Sequence, residues 1–350
     1  MIKTKHIFGI CAIALFILLG STSCTHRPSA DADNSADSST TCFRQSLLIH
    51  PEELSIKWID RIHALGIGTI TLHPRGGRNA YKTLEEMLQM LETEEFRAML
   101  DYADSLGLNI EYEFHAASYL LPRDLFESHP EYFRQNAEGQ REPLINFCVS
   151  NEEALDIVAK RAVELAKKLY KSTHNYYFWM DDVKESICQC EQCAALSESD
   201  MNLLVMNRII KELRKEIPDA QLAYLAYHGA MPTPTQVTPE EGIFVEYAPI
   251  DRDLTRPLRE NNPNEQTIKD LLNFFGTKNA KVLEYWYDNS MMSNWTKPPK
   301  QFIPNNDLIR DDMDYYRQLG FNYLSSFACF LGADYEELYG EPDVSAFKPE

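Results

Sequence analysis

The chain has 350 residues, and 34 Lys and Arg against 53 Asp and Glu leave a net charge of −19. Such a surface repels phosphate backbones, which argues against nucleic acid as a partner. No apolar run after the N-terminal one is long enough to span a bilayer, and 18 Tyr, 17 Phe and 4 Trp supply aromatic surface for a core or for stacking on sugars.

Lys3 and Lys5 form a basic start, an apolar stretch runs from Ile7 to Leu19, and Gly20, Ser21, Thr22 and Ser23 precede Cys24. This is the pattern of a secretory signal over residues 1–23. A cysteine directly after the small residues matches a bacterial lipoprotein box, although Ser21 stands where an aliphatic residue is usual. The expectation is cleavage before Cys24, acylation of its thiol, and an exported lipoprotein anchored to a membrane of the cell envelope. The alternative is a plain signal with an incidental cysteine. Residues 25–41 carry no large apolar side chain, so the lipidated Cys24 and a disordered tether fill 24–41. Residues 42–350 show no further composition shift and read as one domain.

Within that domain, β-type runs alternate with helical patterns. Strands are expected at Ser46 to His50, Thr69 to His73, Asn109 to His115, Tyr176 to Asp182, Gln221 to Tyr227, Ile243 to Ala248, Lys281 to Asp288 and Tyr323 to Cys329. Helices are expected at Pro51 to Leu65, Thr83 to Leu106 (as two), Glu152 to Tyr170, Asp200 to Ile217, Glu265 to Phe275 and Asn305 to Leu319. The repeat predicts a (β/α)8 TIM-type barrel, with the last helix short (Tyr335 to Tyr339) or absent. An open doubly wound sheet is the alternative, but no Gly-x-Gly-x-x-Gly or Walker-type loop marks a dinucleotide site.

Strand parity then sorts side chains. Ile110, Tyr112 and Phe114 oppose Glu111, Glu113 and His115, and Glu284, Trp286 and Asp288 share one face. Polar faces turned into a barrel lumen are costly unless paired or functional. The last polar residue of each strand then stands at the C-terminal mouth. Glycoside hydrolysis needs two carboxylates there, one protonated and one ionised. Asp182 is expected as the acid and Glu284 as its partner, with Asp181, Glu246 and Asp288 as further candidates. Trp179, Trp286, Tyr287 and Trp295 are candidates for stacking on sugar rings, with core packing the stronger reading for Trp179 and Trp295. His115, Tyr227 and His228 are candidates for hydrogen bonds to substrate, although lone histidines are more often structural. Arg75, Arg78 and Arg123 lie in or near loops that could face the mouth, with ordinary surface charge the stronger reading. No cofactor is needed for this chemistry. Two rivals stand beside it: a metal-dependent barrel hydrolase using His50, His73 and His115 with Asp182 or Glu246, and a glycan-binding lipoprotein without turnover.

Cys188, Cys190 and Cys193 form a tight Cys-x-Cys-x-x-Cys cluster. Three close thiols cannot all pair with one another. Cys148 as a fourth completes either two disulfides, which export permits, or a four-thiolate zinc site; a set of free buried thiols is the third reading.

From His115 onward the chain resembles the bacterial domain-of-unknown-function family 4838. The match runs through Leu121-Pro122, His129-Pro130-Glu131-Tyr132-Phe133, Gly139, Arg141, Cys148, the Asp181-Asp182 run, the three clustered cysteines, Asn207, Leu225-Ala226-Tyr227, Pro257-Leu258 and Pro304-Asn305. The resemblance implies a glycosidase-like barrel, distantly similar to α-glucuronidases and frequent in exported proteins of polysaccharide-using bacteria. It implies an oligo- or polysaccharide ligand, acidic sugars included, and brings no established activity. It also implies that Cys148 joins the cysteine cluster. Family members often carry a glycine-rich turn where this chain has Val183-Lys184-Glu185-Ser186-Ile187, which leaves the equivalent aspartate open between Asp181 and Asp182.

Overall fold

The computed structural model describes residues 43–349 apart from 185 and 261. The signal at 1–23, Cys24, its tether and Cys42 therefore lie outside the described residues. Eight strands are numbered β1 (Arg44–Ile49), β2 (Thr69–Leu72), β3 (Asn109–His115), β4 (Asn175–Trp179), β5 (Gln221–Ala226), β6 (Ile243–Tyr247), β7 (Lys281–Glu284) and β8 (Tyr323–Phe327). They pair in chain order into a closed barrel. Every pairing is parallel, including β1 with β8. This is the expected (β/α)8 fold.

Among the described residues ten α-helices surround the barrel: α1 (Ile56–Leu65), α2 (Ala80–Met90), α3 (Glu94–Ser105), α4 (Ala117–Leu120), α5 (Glu152–Lys168), α6 (Glu198–Glu216), α7 (Glu265–Phe275), α8 (Asn289–Met292), α9 (Asn306–Leu319) and α10 (Ala333–Tyr339). Local signals set their limits. Ser55 accepts from the Trp58 amide at 3.3 Å to open α1, and Gly66, at φ 78°, closes it in a conformation that costs other residues strain. Asn151 caps α5, which starts on Glu152 and Glu153 and ends on Lys167 and Lys168, matching the helix dipole at both ends. Between β5 and β6 the described residues form only a 3-10 turn at His228–Ala230. The last helix, α10, has seven residues, as the short-helix expectation required.

The apolar faces of the strands, with Ile70, Ile110, Tyr112, Val245 and Val282, pack under the helices. The lumen is filled in layers. In the lower one Glu111 accepts from Arg44 at 3.0 Å, Asn175 at 3.0 Å, Tyr177 at 2.8 Å and Tyr323 at 2.8 Å. Above it the Lys281 ammonium pairs with Glu113 and, at 2.9 Å, with Glu246. Trp179 Nε1 closes this layer by donating to Glu246 at 2.9 Å. The luminal carboxylates are thus paired, Glu111 with the partly exposed Arg44 and Glu113 and Glu246 with the buried Lys281, which offsets their desolvation.

That ion pair corrects the parity expected for β7. Lys281 occupies the lumen, so Leu283 and Tyr285 also face inward and Glu284 and Trp286 face outward. The strand stops at Glu284, and a turn with the Asp288 amide donating to the Tyr285 carbonyl at 3.1 Å brings Asp288 back toward the mouth independently of strand parity.

Candidate active site

The C-terminal ends of the strands open into a cleft of about 420 Å³. His50, His73 and His115 follow or end β1, β2 and β3 and stand along one wall. Each ring bonds the next strand: His50 Nδ1 to the His73 carbonyl at 2.8 Å, His73 Nδ1 to the Glu113 carbonyl at 2.7 Å, and His115 Nδ1 to the Met180 carbonyl at 2.5 Å. A carbonyl only accepts, so Nδ1 carries the proton in each ring. Burial pushes His50 and His73 below the usual histidine range and keeps them neutral. Their Nε2 atoms are then acceptors suited to sugar hydroxyls. Neighbouring ring centroids lie 6.1 and 6.2 Å apart. The three do not converge as metal ligands: among the described residues, the only grouped His, Cys, Asp or Glu ligand atoms, all within 4.8 Å of one another, are the four cysteine sulfurs.

The adjacent aspartates after β4 have different surroundings. Asp181 is a clamp. It accepts from the Ser118 amide at 3.1 Å, the Ser118 hydroxyl and the Asn146 amide at 2.6 Å, while its own amide donates to Asn146 Oδ1 at 2.8 Å. Asp182 is half-buried on the cleft wall and accepts from the Tyr227 hydroxyl at 3.0 Å. Gly76 packs against it so closely that an added Cβ would lie 3.1 Å from Asp182 Oδ2 and 3.2 Å from the His115 ring. The Gly76-Gly77 doublet after β2 is the signal that sequence reasoning passed over.

Asp288 is the second carboxylate on the cleft wall. Its Oδ1 takes the Ser290 amide at 3.0 Å, the Ser290 hydroxyl and the Met291 amide at 3.4 Å. Its Oδ2 has no protein partner among the described residues. Burial pushes its carboxyl above the ordinary aspartate range. Tyr285, a luminal residue given no role from sequence, lines the cleft and stacks on Phe327 with centroids 5.1 Å apart.

Several other expected residues lie outside the cleft. Glu284 is wholly buried behind the barrel wall, bound to Arg252 Nε at 2.9 Å and the Tyr316 hydroxyl at 2.6 Å. Trp286 beside it donates to Asp312 at 3.0 Å and packs on Tyr316 and Phe347, and Tyr287 is covered by Phe347. None of these three touches the cleft, because the lumen side of β7 belongs to Lys281. Glu246 sits below the cleft floor, sealed by Lys281 and Trp179. Trp179 itself forms part of that floor, 5.1 Å from the His115 ring. His228 is near the mouth, at φ 46° and 3.5 Å from Asp251, with burial lowering its pKa.

Two residues read from sequence as core or surface line the cleft instead. Trp295 is 67% exposed on its rim, at φ 52°. Arg75 also lines it, paired with Glu52 at 2.7 Å. Arg78 is exposed. Arg123 is not surface charge; its guanidinium ties the carbonyls of Leu121, Pro143 and Asn146 at 2.7 to 3.0 Å.

No curated protein matches the chain by sequence. Among solved structures, the β-galactosidase from Bacillus circulans sp. alkalophilus is 10% identical, with 82% of this chain covering 50% of that one at a TM-score of 0.50. The β-galactosidase from the psychrophilic Marinomonas ef1 is 11% identical over 81% of this chain and 53% of that one, TM-score 0.48. Endo-glycoceramidase II from Rhodococcus sp. is 10% identical over 82% and 73%, TM-score 0.48. The chain spans about half the length of the two galactosidases. At such identities the likeness concerns the barrel fold. The model of the family "Domain of unknown function (DUF4838)" matches residues 76–335, and the chain belongs to that family.

Proposed function

We propose that this chain is a glycoside hydrolase, exported and held in the cell envelope by a lipid on Cys24, with Asp182 and Asp288 as its carboxylate pair. The observation that carries the reading is that these two carboxylates line one cleft at the C-terminal mouth of the barrel, together with Tyr285. Asp288, raised by burial and with Oδ2 unpartnered, is the proton donor to the leaving oxygen. Asp182, held in place by the Tyr227 hydroxyl, is the base or nucleophile on the other face of the bond. The Nε2 atoms of His50, His73 and His115 receive substrate hydroxyls, and the Trp295 indole stacks on a pyranose ring at the rim.

A uronic-acid residue in the glycan is the finer part of the proposal. In a chain of net charge −19 an acidic sugar needs a local cation, and Arg75 is the one Lys or Arg among the described residues lining the cleft. The test is product release from a glycan panel, uronic-acid polymers included, by the wild type beside Asp182→Asn and Asp288→Asn. Release by the wild type alone supports the pair. Equal release by all three removes both aspartates from the mechanism. Glycan affinity without any product makes the chain a binding protein. Loss of palmitate labelling in Cys24→Ala tests the anchor.

A further inference from the structure

Cys148, Cys188, Cys190 and Cys193 are all buried, and none forms a disulfide. Their sulfurs lie within 4.8 Å of one another. Cys148 Sγ is 3.7 Å from Cys190 Sγ and 3.9 Å from Cys193 Sγ. A disulfide requires about 2.05 Å. A tetrahedron of thiolates around zinc, with Zn–S near 2.3 Å, has sulfur–sulfur edges of about 3.8 Å. We propose that these four cysteines hold one zinc ion as a tetrathiolate site. This inference does not depend on the chain's being a hydrolase.

The surroundings suit thiolates. The Gln135 amide donates to Cys188 Sγ at 3.3 Å, and Arg141 Nη1 lies 3.7 Å from the same sulfur. The Ser150 hydroxyl is 3.2 Å from Cys148 Sγ, 3.3 Å from Cys193 Sγ and 3.6 Å from Cys190 Sγ. Four thiolates and one Zn2+ leave two negative charges, and the Arg141 guanidinium with these donors offsets them. Binding displaces the protons of whichever thiols are not yet ionised and oxidises nothing. The turn is built to converge: the Ala194 amide donates to the Cys190 carbonyl at 2.8 Å and the Leu196 amide to the Cys193 carbonyl at 2.9 Å.

The ion would join two segments that Asn146 and Gln135 already link by hydrogen bonds. Cys188, Cys190 and Cys193 follow β4 and the Asp181-Asp182 pair, while Cys148 ends the segment that carries Asn146. Asn146 clamps Asp181 and donates to the Ser186 hydroxyl at 2.8 Å. Zinc would fix both ends of that clamp and so the loop from which Asp182 projects.

The experiment uses the full chain, purified in detergent without chelator. Elemental analysis should give one zinc per chain, and replacement by Co2+ should give the intense thiolate-to-cobalt charge-transfer absorption of a four-sulfur site. Cys190→Ser should lose the metal. Cys190→His, which keeps a zinc ligand, should retain it with weakened charge-transfer intensity. If the serine variant does not fold, the cobalt spectrum of the wild type decides alone. An intact mass lighter by the hydrogens of two disulfides, with no metal, overturns the proposal. So do four thiols that all react with a thiol reagent after equilibration with zinc, or iron in place of zinc.

Discussion

The Tyr227 hydroxyl donates to Asp182 Oδ1 at 3.0 Å, from the first residue past β5 to the third past β4. The bond crosses between adjacent strand ends and fixes the rotamer of the one aspartate of the pair that faces the cleft. Asp182→Asn is expected to lower kcat by about 10² to 10⁴, the range for a positioned acid–base group. Tyr227→Phe should lower kcat about tenfold, because it removes the hydrogen bond that orients Asp182. A Tyr227→Phe enzyme with unchanged kcat would detach this hydroxyl from the chemistry.

Glu284→Gln separates a wall residue from a cleft residue. Glu284 is bound by Arg252 and Tyr316 behind β7. The variant should keep wild-type turnover while losing about 3 kcal/mol of stability, the cost of disturbing a buried ion pair. Urea denaturation and kcat measured on the same sample give both numbers. Lost turnover with intact stability would return Glu284 to the mechanism.

How the chain's pattern relates to its fold turns on such pairs. The alternation in Asn109 to His115 has one apolar and one polar face, so its inward side was legible, and with it the barrel. Lys281 to Asp288 offered no comparable alternation. The missing clue was the lone lysine in an apolar run, which is the luminal partner that Glu113 and Glu246 require. The roles of Asp181 and Asp182 were not legible either, since they depend on Asn146 and Tyr227 arriving from 35 and 45 residues away. The Cys-x-Cys-x-x-Cys motif was local and could be read directly.

Lys281→Met should remove the only cation that, among the described residues, is bound to Glu113 and Glu246, and cost about 3 to 5 kcal/mol. Burial already pushes Glu113 well above the carboxylate range, so adding Glu113→Gln should recover part of that loss. Equilibrium denaturation of the wild type, the single and the double variant forms the test. A double variant no more stable than Lys281→Met would show that the cost lies in packing and not in charge.

Trp295→Ala should raise KM by about 3- to 10-fold and leave kcat and stability unchanged, because the indole is exposed on the rim and packs on little else. The expected signature in the wild type is a tryptophan fluorescence change on adding glycan that the variant lacks. Equal glycan affinity in the two proteins would exclude stacking there.

Glu53 links the cleft wall to pH. Its carboxylate accepts from the Phe330 amide at 2.8 Å and lies 3.6 Å from Lys297, yet burial pushes its pKa from 4.5 to about 7. A raised folded-state pKa means that the folded chain binds the proton more tightly than the unfolded chain. The resulting stabilisation is complete below the unfolded value of 4.5 and is lost as pH rises through about 7. Its size is on the order of 3 kcal/mol. His50 and His73, shifted downward, contribute the opposite slope, with stability present above the unfolded histidine value and lost as pH falls. Glu53→Gln keeps the neutral form at every pH and keeps both histidines. The stability of the wild type minus that of Glu53→Gln should therefore fall between pH 4.5 and 7 and level off above it. Denaturant titrations of both proteins across that range measure the difference, and a difference constant with pH would show that Glu53 is ionised in the folded chain at ordinary acidity.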